Sequence, residues 1–171
     1  WVDERHGNQP MEFTDVDVVL RNGLRNHDVR FDATPPAEVG DRFTLQGEFE
    51  QPLWAAAGDW QRWRGTAHLN VPRAAMSPAA GSTSSPMALY RVLPWQGAQV
   101  IEGQAALRAW IDVRDGKVTT ATTDLAVRQL TVQFPGTASP LAVQDLRGRL
   151  VTERQTGDRT PRWRLTATQM G

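Results

Sequence analysis

Runs of alternating apolar and polar residues occupy most of this chain. They are clear at residues 14–21, 28–32 and 42–50, and turn-forming residues such as Asn22-Gly23 follow them. A period of two places alternate side chains on opposite faces of a β-sheet. The pattern therefore predicts an all-β fold, mainly antiparallel, whose sheet has one apolar face.

Nine strands and one short helix are predicted. Hairpin signals lie at Asn22-Gly23, Asp115-Gly116 and Gly157-Asp158. The stretch Ser77–Ser85 has the composition of a flexible loop, and a proline-initiated helix is predicted after it, at about 86–93. We expect an antiparallel meander that forms a curved, groove-like sheet, with strands at 11–21, 25–33, 41–50, 61–71, 100–113, 117–125, 127–134, 141–154 and 162–169.

The predicted loop and helix divide the chain into three parts. These are a first strand group at 1–72, a crossover at 73–97 and a second strand group at 98–171. The chain begins at Trp1 with strand-like sequence and ends just after the strand-like residues 163–167. We therefore expect a single fragment of a longer β-protein.

Charge and cysteine content exclude several function classes. The 19 basic and 19 acidic residues balance and are scattered singly, which does not favour a nucleic-acid partner. The chain has no cysteine, so thiol chemistry and zinc–thiolate sites are absent. No apolar run approaches the length of a membrane-spanning helix.

No catalytic or metal-binding motif is evident. The three histidines, His6, His27 and His68, lie far apart and lack the spacing of ligands on one element. The serines of the 77–85 loop are not in a nucleophile elbow. We expect a protein that is not an enzyme and that has no cofactor, no bound metal and no hydrolase activity.

Seven tryptophans are many for 171 residues. Trp54, Trp60 and Trp63 cluster in the sequence, and Trp110 alternates with apolar neighbours, which predicts that it lies on the outer face. Two interpretations stay open. The rings either cover a thin core, or form an aromatic rim or a sugar-stacking surface.

The apolar positions of the strands are the main functional candidates. A single sheet needs a covering layer over such a face, and the only predicted helix is short. The face is therefore either ordinary core, in a sheet that folds onto itself, or the lining of a ligand groove. Ala67 and Ala109 share the face with the groove candidates Val16, Val18, Leu20, Val29, Phe31, Phe43, Leu45, Phe49, Leu69, Val71, Leu107, Ile111, Val113, Leu130, Val132 and Phe134.

An ordered series of short motifs resembles one region of the large AsmA-like envelope proteins of the YhdP type. The series covers nearly the whole chain: Trp1-Val2-Asp3-Glu4, residues 17–22, residues 27–31, Pro35-Pro36, residues 40–43, Trp60-x-x-Trp63-x-Gly65, Gly103 to Gly116 around Trp110, Asp145-Leu146-x-Gly148 and Trp163-x-Leu165. The chain departs from the family pattern at residues 77–85, where a more compact helical element is expected, and it lacks the family's membrane anchor.

The resemblance implies a groove-shaped β-protein of the Gram-negative periplasm, whose parent is anchored in the inner membrane. It implies phospholipid as the ligand, carried between the inner and outer membranes in outer-membrane biogenesis, with other envelope proteins as candidate partners. The alternative is a closed β-sandwich that binds glycan or protein through exposed tryptophans. If the face conducts lipid, we expect Asp at Leu45, Leu69 or Ile111 to obstruct it, and Asp at Thr44 to be tolerated.

Overall fold

The computed structural model describes residues 12–53, 59–76, 99–155 and 162–168. Nine strands lie in this part of the chain, and a 3₁₀ turn at Trp60–Arg62 precedes the fourth. The strands are β1 (Thr14–Asn22), β2 (Asn26–Thr34), β3 (Phe43–Glu50), β4 (Arg64–Ala75), β5 (Gln99–Arg114), β6 (Lys117–Gln133), β7 (Leu141–Val143), β8 (Leu146–Gln155) and β9 (Arg162–Thr168).

All nine strands belong to one antiparallel sheet. Its order is β1-β2-β3-β4-β5-β6-β8-β9, and β7 pairs with β6 beside β8. Consecutive strands therefore pair with each other, as expected for a meander, except that β8 pairs with β6 and not with β7; within the described residues β1 and β9 are the edges of the main path. The predicted all-β antiparallel meander is confirmed. The predicted helix at 86–93 and the loop at 77–85 lie outside the described residues.

Several strand boundaries differ from the prediction. Residues 117–125 and 127–134 form one strand, β6, whereas the predicted strand at 141–154 is divided into β7 and β8. Asp145, with a φ angle of 53°, lies at the break between β7 and β8, and Gln129, with a φ angle of 51°, lies within the continuous β6. They are nearly opposite each other, and the same pairing register resumes beyond them: Val127 pairs with Leu146, and Leu130 with Val143.

The irregularity at Gln129 also changes which residues face the core. Before it, odd-numbered residues of β6 such as Val127 are on the apolar face; after it, Leu130 and Val132 are on that face. A bulge shifts the alternation by one residue. The predicted strand break at residue 126 also shifts the alternation by one residue. The predicted face of Leu130 and Val132 is therefore correct, although β6 is continuous at residue 126.

Two turns illustrate how local sequence sets the connections. Asp115 and Gly116 both have positive φ, 50° and 63°, as a two-residue type I′ hairpin requires. This predicted hairpin is confirmed. The β1–β2 connection is longer, because the chain re-enters strand only at Asn26, where the Gly23 N–H donates to the Asn26 carbonyl at 2.7 Å. Gly157-Asp158 lies outside the described residues.

The strand connections lie at two opposite ends of the sheet, which we call the upper end and the lower end. The upper end carries the β1–β2 and β5–β6 turns and the start of β4. The lower end carries the β2–β3 connection and the end of β4. At the lower end β4 runs to Ala75, into the predicted crossover, and its pairing with β5 shifts between Val71 and Ala74. Pro72 lies at this shift and has no N–H to donate to the ladder.

The core lies on the apolar face toward the lower end. One cluster of buried residues is formed by Met76, Val100, Ala105, Val127, Leu130 and Val132, and Phe134 packs against it. A second cluster is formed by Val71, Ala74 and Leu107, with Phe43 and Leu69 beside it. The described core is therefore concentrated in one half of the sheet.

Candidate functional site

The apolar face carries continuous rows of uncharged residues that cross the whole sheet. Because paired residues of neighbouring strands point to the same face, the register identifies each row. The central row has one residue from each of the eight strands on the main path, and it contains Val18, Phe31, Leu45, Leu69, Ala109, Thr123, Leu150 and Ala167.

A second row runs beside it toward the upper end. It contains Leu20, Val29, Gly47, Ala67, Ile111, Ala121 and Thr152, and Leu165 has the paired backbone position in β9. Neither row contains a charged residue. The periodicity of the sequence predicted the members from β1 to β5 except Gly47, and it missed those in β6, β8 and β9, where threonine and alanine weaken the apolar signal.

The exposure of this face increases from the lower end toward β1. Val18 and Leu20 are 57% and 62% exposed, and Val16 is also exposed. Leu45 is 36% exposed. The half-buried candidates are Val29, Phe31, Phe43, Phe49, Leu69, Ile111, Val113 and Phe134.

Four of the predicted groove residues belong to the core instead. Val71, Leu107, Leu130 and Val132 are buried in the two clusters of the lower end. They do not line an accessible surface, because their neighbours already cover them. The predicted lining is thus open only in part, at β1 and at Leu45 of β3.

An aromatic cluster closes the upper end of the apolar face. The rings of His27 and Trp63 are stacked, with centroids 4.2 Å apart and an interplanar angle of 1°, and the Phe49 ring lies 6.3 Å from Trp63. Glycine permits this packing, since a Cβ at Gly65 would approach the Phe49 Cα to 2.8 Å. Trp63 is therefore a covering residue, in agreement with the first interpretation of the tryptophans.

The outer face is polar and carries several ion pairs. Arg30 and Thr44 both donate to the Asp32 carboxylate, at 2.7 and 2.6 Å. Arg149 donates to Asp124 through two nitrogens, at 2.6 and 2.8 Å. These hydrogen bonds favour the ionised carboxylates, so the pKa of Asp32 and the pKa of Asp124 both lie below the ordinary value.

This network contradicts the expected tolerance of Asp at Thr44. Thr44 is on the outer face, as predicted, but its hydroxyl is bonded to Asp32, whose side chain is largely buried. A second carboxylate there would repel the first. Gln46 is the better outer position, because it is exposed and lies opposite Arg30.

The remaining tryptophans and histidines are dispersed. Trp110 is 44% exposed on the outer face, as predicted, with the His68 ring 5.3 Å away. Trp60 is exposed in the 3₁₀ turn. His6 and Trp54 are outside the described residues. Among the described residues, no three histidine or acidic side chains converge as a metal site would require.

The upper end also holds a cavity that the sequence did not reveal. Its volume is about 750 Å³, and it is lined by Arg25, Pro52, Leu53, Arg62, Arg64, Arg114 and Asp115. These residues come from four separate connections and strand ends. Only the meander brings them together, so no local motif could have indicated the cavity.

No model of a protein family, curated protein or solved structure matches this chain. In the part of the chain that the structure describes, no helix has both the length and the apolar character to cross a membrane.

Proposed function

We propose that this chain is a non-enzymatic segment of a periplasmic AsmA-like protein, and that phospholipid acyl chains move along its apolar face between the inner and outer membranes. The observation that carries the proposal is the pair of uncharged rows that cross eight strands of a single sheet. All described strands belong to that sheet, which supports an open face over a closed sandwich.

The dimensions of the rows suit an acyl chain. Eight strands have seven spacings of roughly 4.8 Å, so each row is about 34 Å long. This is longer than an extended acyl chain of ordinary length, and a lipid could therefore lie along the row without leaving it. Each CH₂ transferred from water to such a surface contributes about 0.8 kcal/mol.

The chemistry of the rows suits movement rather than tight capture. Small residues such as Gly47, Ala67, Ala109 and Ala121 alternate with branched ones, and no charged side chain interrupts either row. A lipid tail would meet similar apolar contacts at each step, with no strong polar anchor. The exposed positions Val18 and Leu20 supply the accessible side of this path.

The decisive experiment is photocrosslinking in the full-length parent in cells. A benzophenone amino acid at Leu45 lies on the apolar face, and the same group at Gln46 lies on the outer face of the same strand. We expect a phospholipid adduct at position 45 and none at 46, detected by mass spectrometry of the purified protein. Equal labelling at both positions, or none at 45, would contradict the proposal.

A charge substitution tests transport itself. Asp at Leu45 or Val18 would desolvate a carboxylate against acyl chains, and we expect either variant to fold and to lose envelope function. Gln46→Asp is the matched control and should retain function. If Leu45→Asp and Val18→Asp both unfold the protein, the face is closed core and the sandwich alternative is correct. If both variants function, the face is not a lipid path.

A further inference from the structure

Four of the seven residues that line the cavity at the upper end are arginines, and Arg64 and Arg114 belong to the polar side of the sheet. Arg64 begins β4 and pairs with Glu50, which is on the outer face with Glu48. Arg114 ends β5 and lies opposite Lys117 across the β5–β6 hairpin. The cavity is thus separate from the two apolar rows, which occupy the other face.

The backbone holds the walls of this cavity in place. The Gly116 N–H donates to the Trp63 carbonyl at 3.0 Å, which docks the β5–β6 turn onto the 3₁₀ turn. A Cβ at Gly116 would lie 2.8 Å from the Gln61 Cα, so only glycine permits this approach. The docking places Arg114 beside the arginines that flank Trp63.

The ion pairs of the cavity leave positive charge uncompensated. Glu50 accepts from Arg25 through Oε1, at 2.5 Å, and from Arg64 through Oε2, at 2.8 Å, so one carboxylate serves two guanidiniums. Arg62 pairs with Asp59 at 3.1 Å.

Arg114 has no carboxylate partner among the described residues, and neither has Lys117. The four arginines of the cavity therefore face the three carboxylates Glu50, Asp59 and Asp115, which leaves one positive charge in excess.

We propose that this arginine-lined cavity binds a phosphate group. A phosphate oxyanion has the negative charge and the acceptor oxygens with which guanidinium N–H groups form charge-assisted hydrogen bonds. Arg25 and Arg64 each use Nε and Nη2 for existing bonds, which leaves Nη1 of both to donate to a ligand. Leu53, which is exposed beside Pro52, provides an apolar wall for the organic part of a phosphate ester. The inference goes beyond the lipid path and does not depend on it.

The test is a binding titration of the full chain with two probes. Glycerol 3-phosphate represents a soluble phosphate monoester, and vesicles of phosphatidylcholine with phosphatidic acid represent a lipid headgroup. We expect saturable binding that weakens as salt is added. Arg114→Gln should weaken it about tenfold, because one charge-assisted contact is lost. The fold should be unaffected, since this side chain makes no ion pair in the described part of the chain.

Arg147→Gln is the matched control. Arg147 is an exposed arginine of β8, outside the cavity, and its loss should leave binding unchanged. Binding of both probes through Arg114 indicates a lipid headgroup as ligand, and binding of glycerol 3-phosphate alone indicates a soluble phosphate ester. The proposal is overturned if neither probe saturates, or if the two variants weaken binding equally. Photocrosslinking of lipid at position 45 is a separate measurement. The phosphate-binding proposal and the lipid-path proposal can therefore each fail without the other.

Discussion

At the scale of one residue, Asp32 shows how side-chain hydrogen bonds stabilise the polar face of the sheet. It is the buried charged residue among those that the structure describes, and Arg30 and Thr44 satisfy it. A buried carboxylate that loses a donor keeps its desolvation cost without the compensating bond. The outer face is therefore not uniformly tolerant, although its sequence pattern is uniformly polar.

We predict that Thr44→Val lowers the stability of the protein. The substitution preserves shape and strand propensity but removes the hydroxyl that donates to Asp32 at 2.6 Å. Thr66→Val is the control, because Thr66 is exposed on the same face and its hydroxyl has no hydrogen bond among the described residues. Urea denaturation should give a lower midpoint for the first variant only. Equal midpoints would show that the Thr44 bond contributes nothing.

Three carboxylates predict a loss of stability in acid. The hydrogen bonds from Arg30, Arg64 and Arg149 lower the pKa of Asp32, the pKa of Glu50 and the pKa of Asp124, whose ordinary values are 3.8, 4.5 and 3.8. The unfolded chain then takes up protons at a higher pH than the folded chain. The stabilisation is complete above pH 4.5 and is lost as the pH falls through the lowered values.

Denaturation midpoints measured from neutral pH down to acid pH should therefore decrease once the pH is below 4.5. Asp124→Asn should be less stable than the native protein at neutral pH, and the difference should shrink in acid. If Asp124→Asn has the native pH profile, the Asp124–Arg149 pair is not a source of the pH dependence.

At the scale of elements, the β5–β6 hairpin is both a turn and a structural support. Gly116 needs a positive φ, and it also touches the 3₁₀ turn. Gly136 has a positive φ of 80° with nothing within 4 Å of its Cβ position. Substitutions at the two glycines therefore distinguish the free-energy cost of a positive φ from the free-energy cost of a steric conflict.

We predict that Gly116→Ala destabilises the fold more than Gly136→Ala does. The φ cost alone is about 1 kcal/mol in both variants. At Gly116 the conflict with Gln61 adds about 1–3 kcal/mol, the usual range for overpacking. Thermal unfolding of the two variants measures the difference. Equal shifts would mean that the 3₁₀ turn moves aside without cost.

At the scale of the whole molecule, the sheet has a closed lower half and an accessible side at β1. The buried clusters lie around Leu130 and Val71, whereas Val18 and Leu20 of β1 are more than half exposed. A closed lower half can hold the fold together while the β1 side stays available to a ligand. This division is what the proposed lipid path requires of a protein with one layer of described strands.

We predict opposite consequences for two leucines of the apolar face. Leu130 is 2% exposed, and Leu130→Ala should cost about 2–5 kcal/mol in unfolding free energy through lost contacts and a cavity. Leu20→Ala should change it by less than about 0.5 kcal/mol, since Leu20 is exposed. Guanidinium denaturation distinguishes these values. A large cost at Leu20 would mean that β1 is covered, contrary to an accessible side at β1.

The sequence by itself determined the fold class and the face on which the apolar residues of β1 to β5 lie. Alternation encodes these features locally, because one residue in two must point to the core whatever the strand pairs with. Asp115-Gly116 likewise specified its own hairpin, since both φ angles are positive. The strand breaks around Gln129 and Asp145 were misplaced, because neither residue is a glycine or proline that would mark a bulge in the sequence.

Only the tertiary structure decided which parts of the apolar face are closed and which are open. Val71 and Val18 have the same local pattern, yet one is buried and the other is exposed. The difference arises from position in the sheet, because an interior strand has neighbours on both sides and an edge strand has fewer. The arginine cavity and the Thr44–Asp32 bond likewise join residues from separate segments, and their chemistry depends on strand register, which no local stretch of sequence contains.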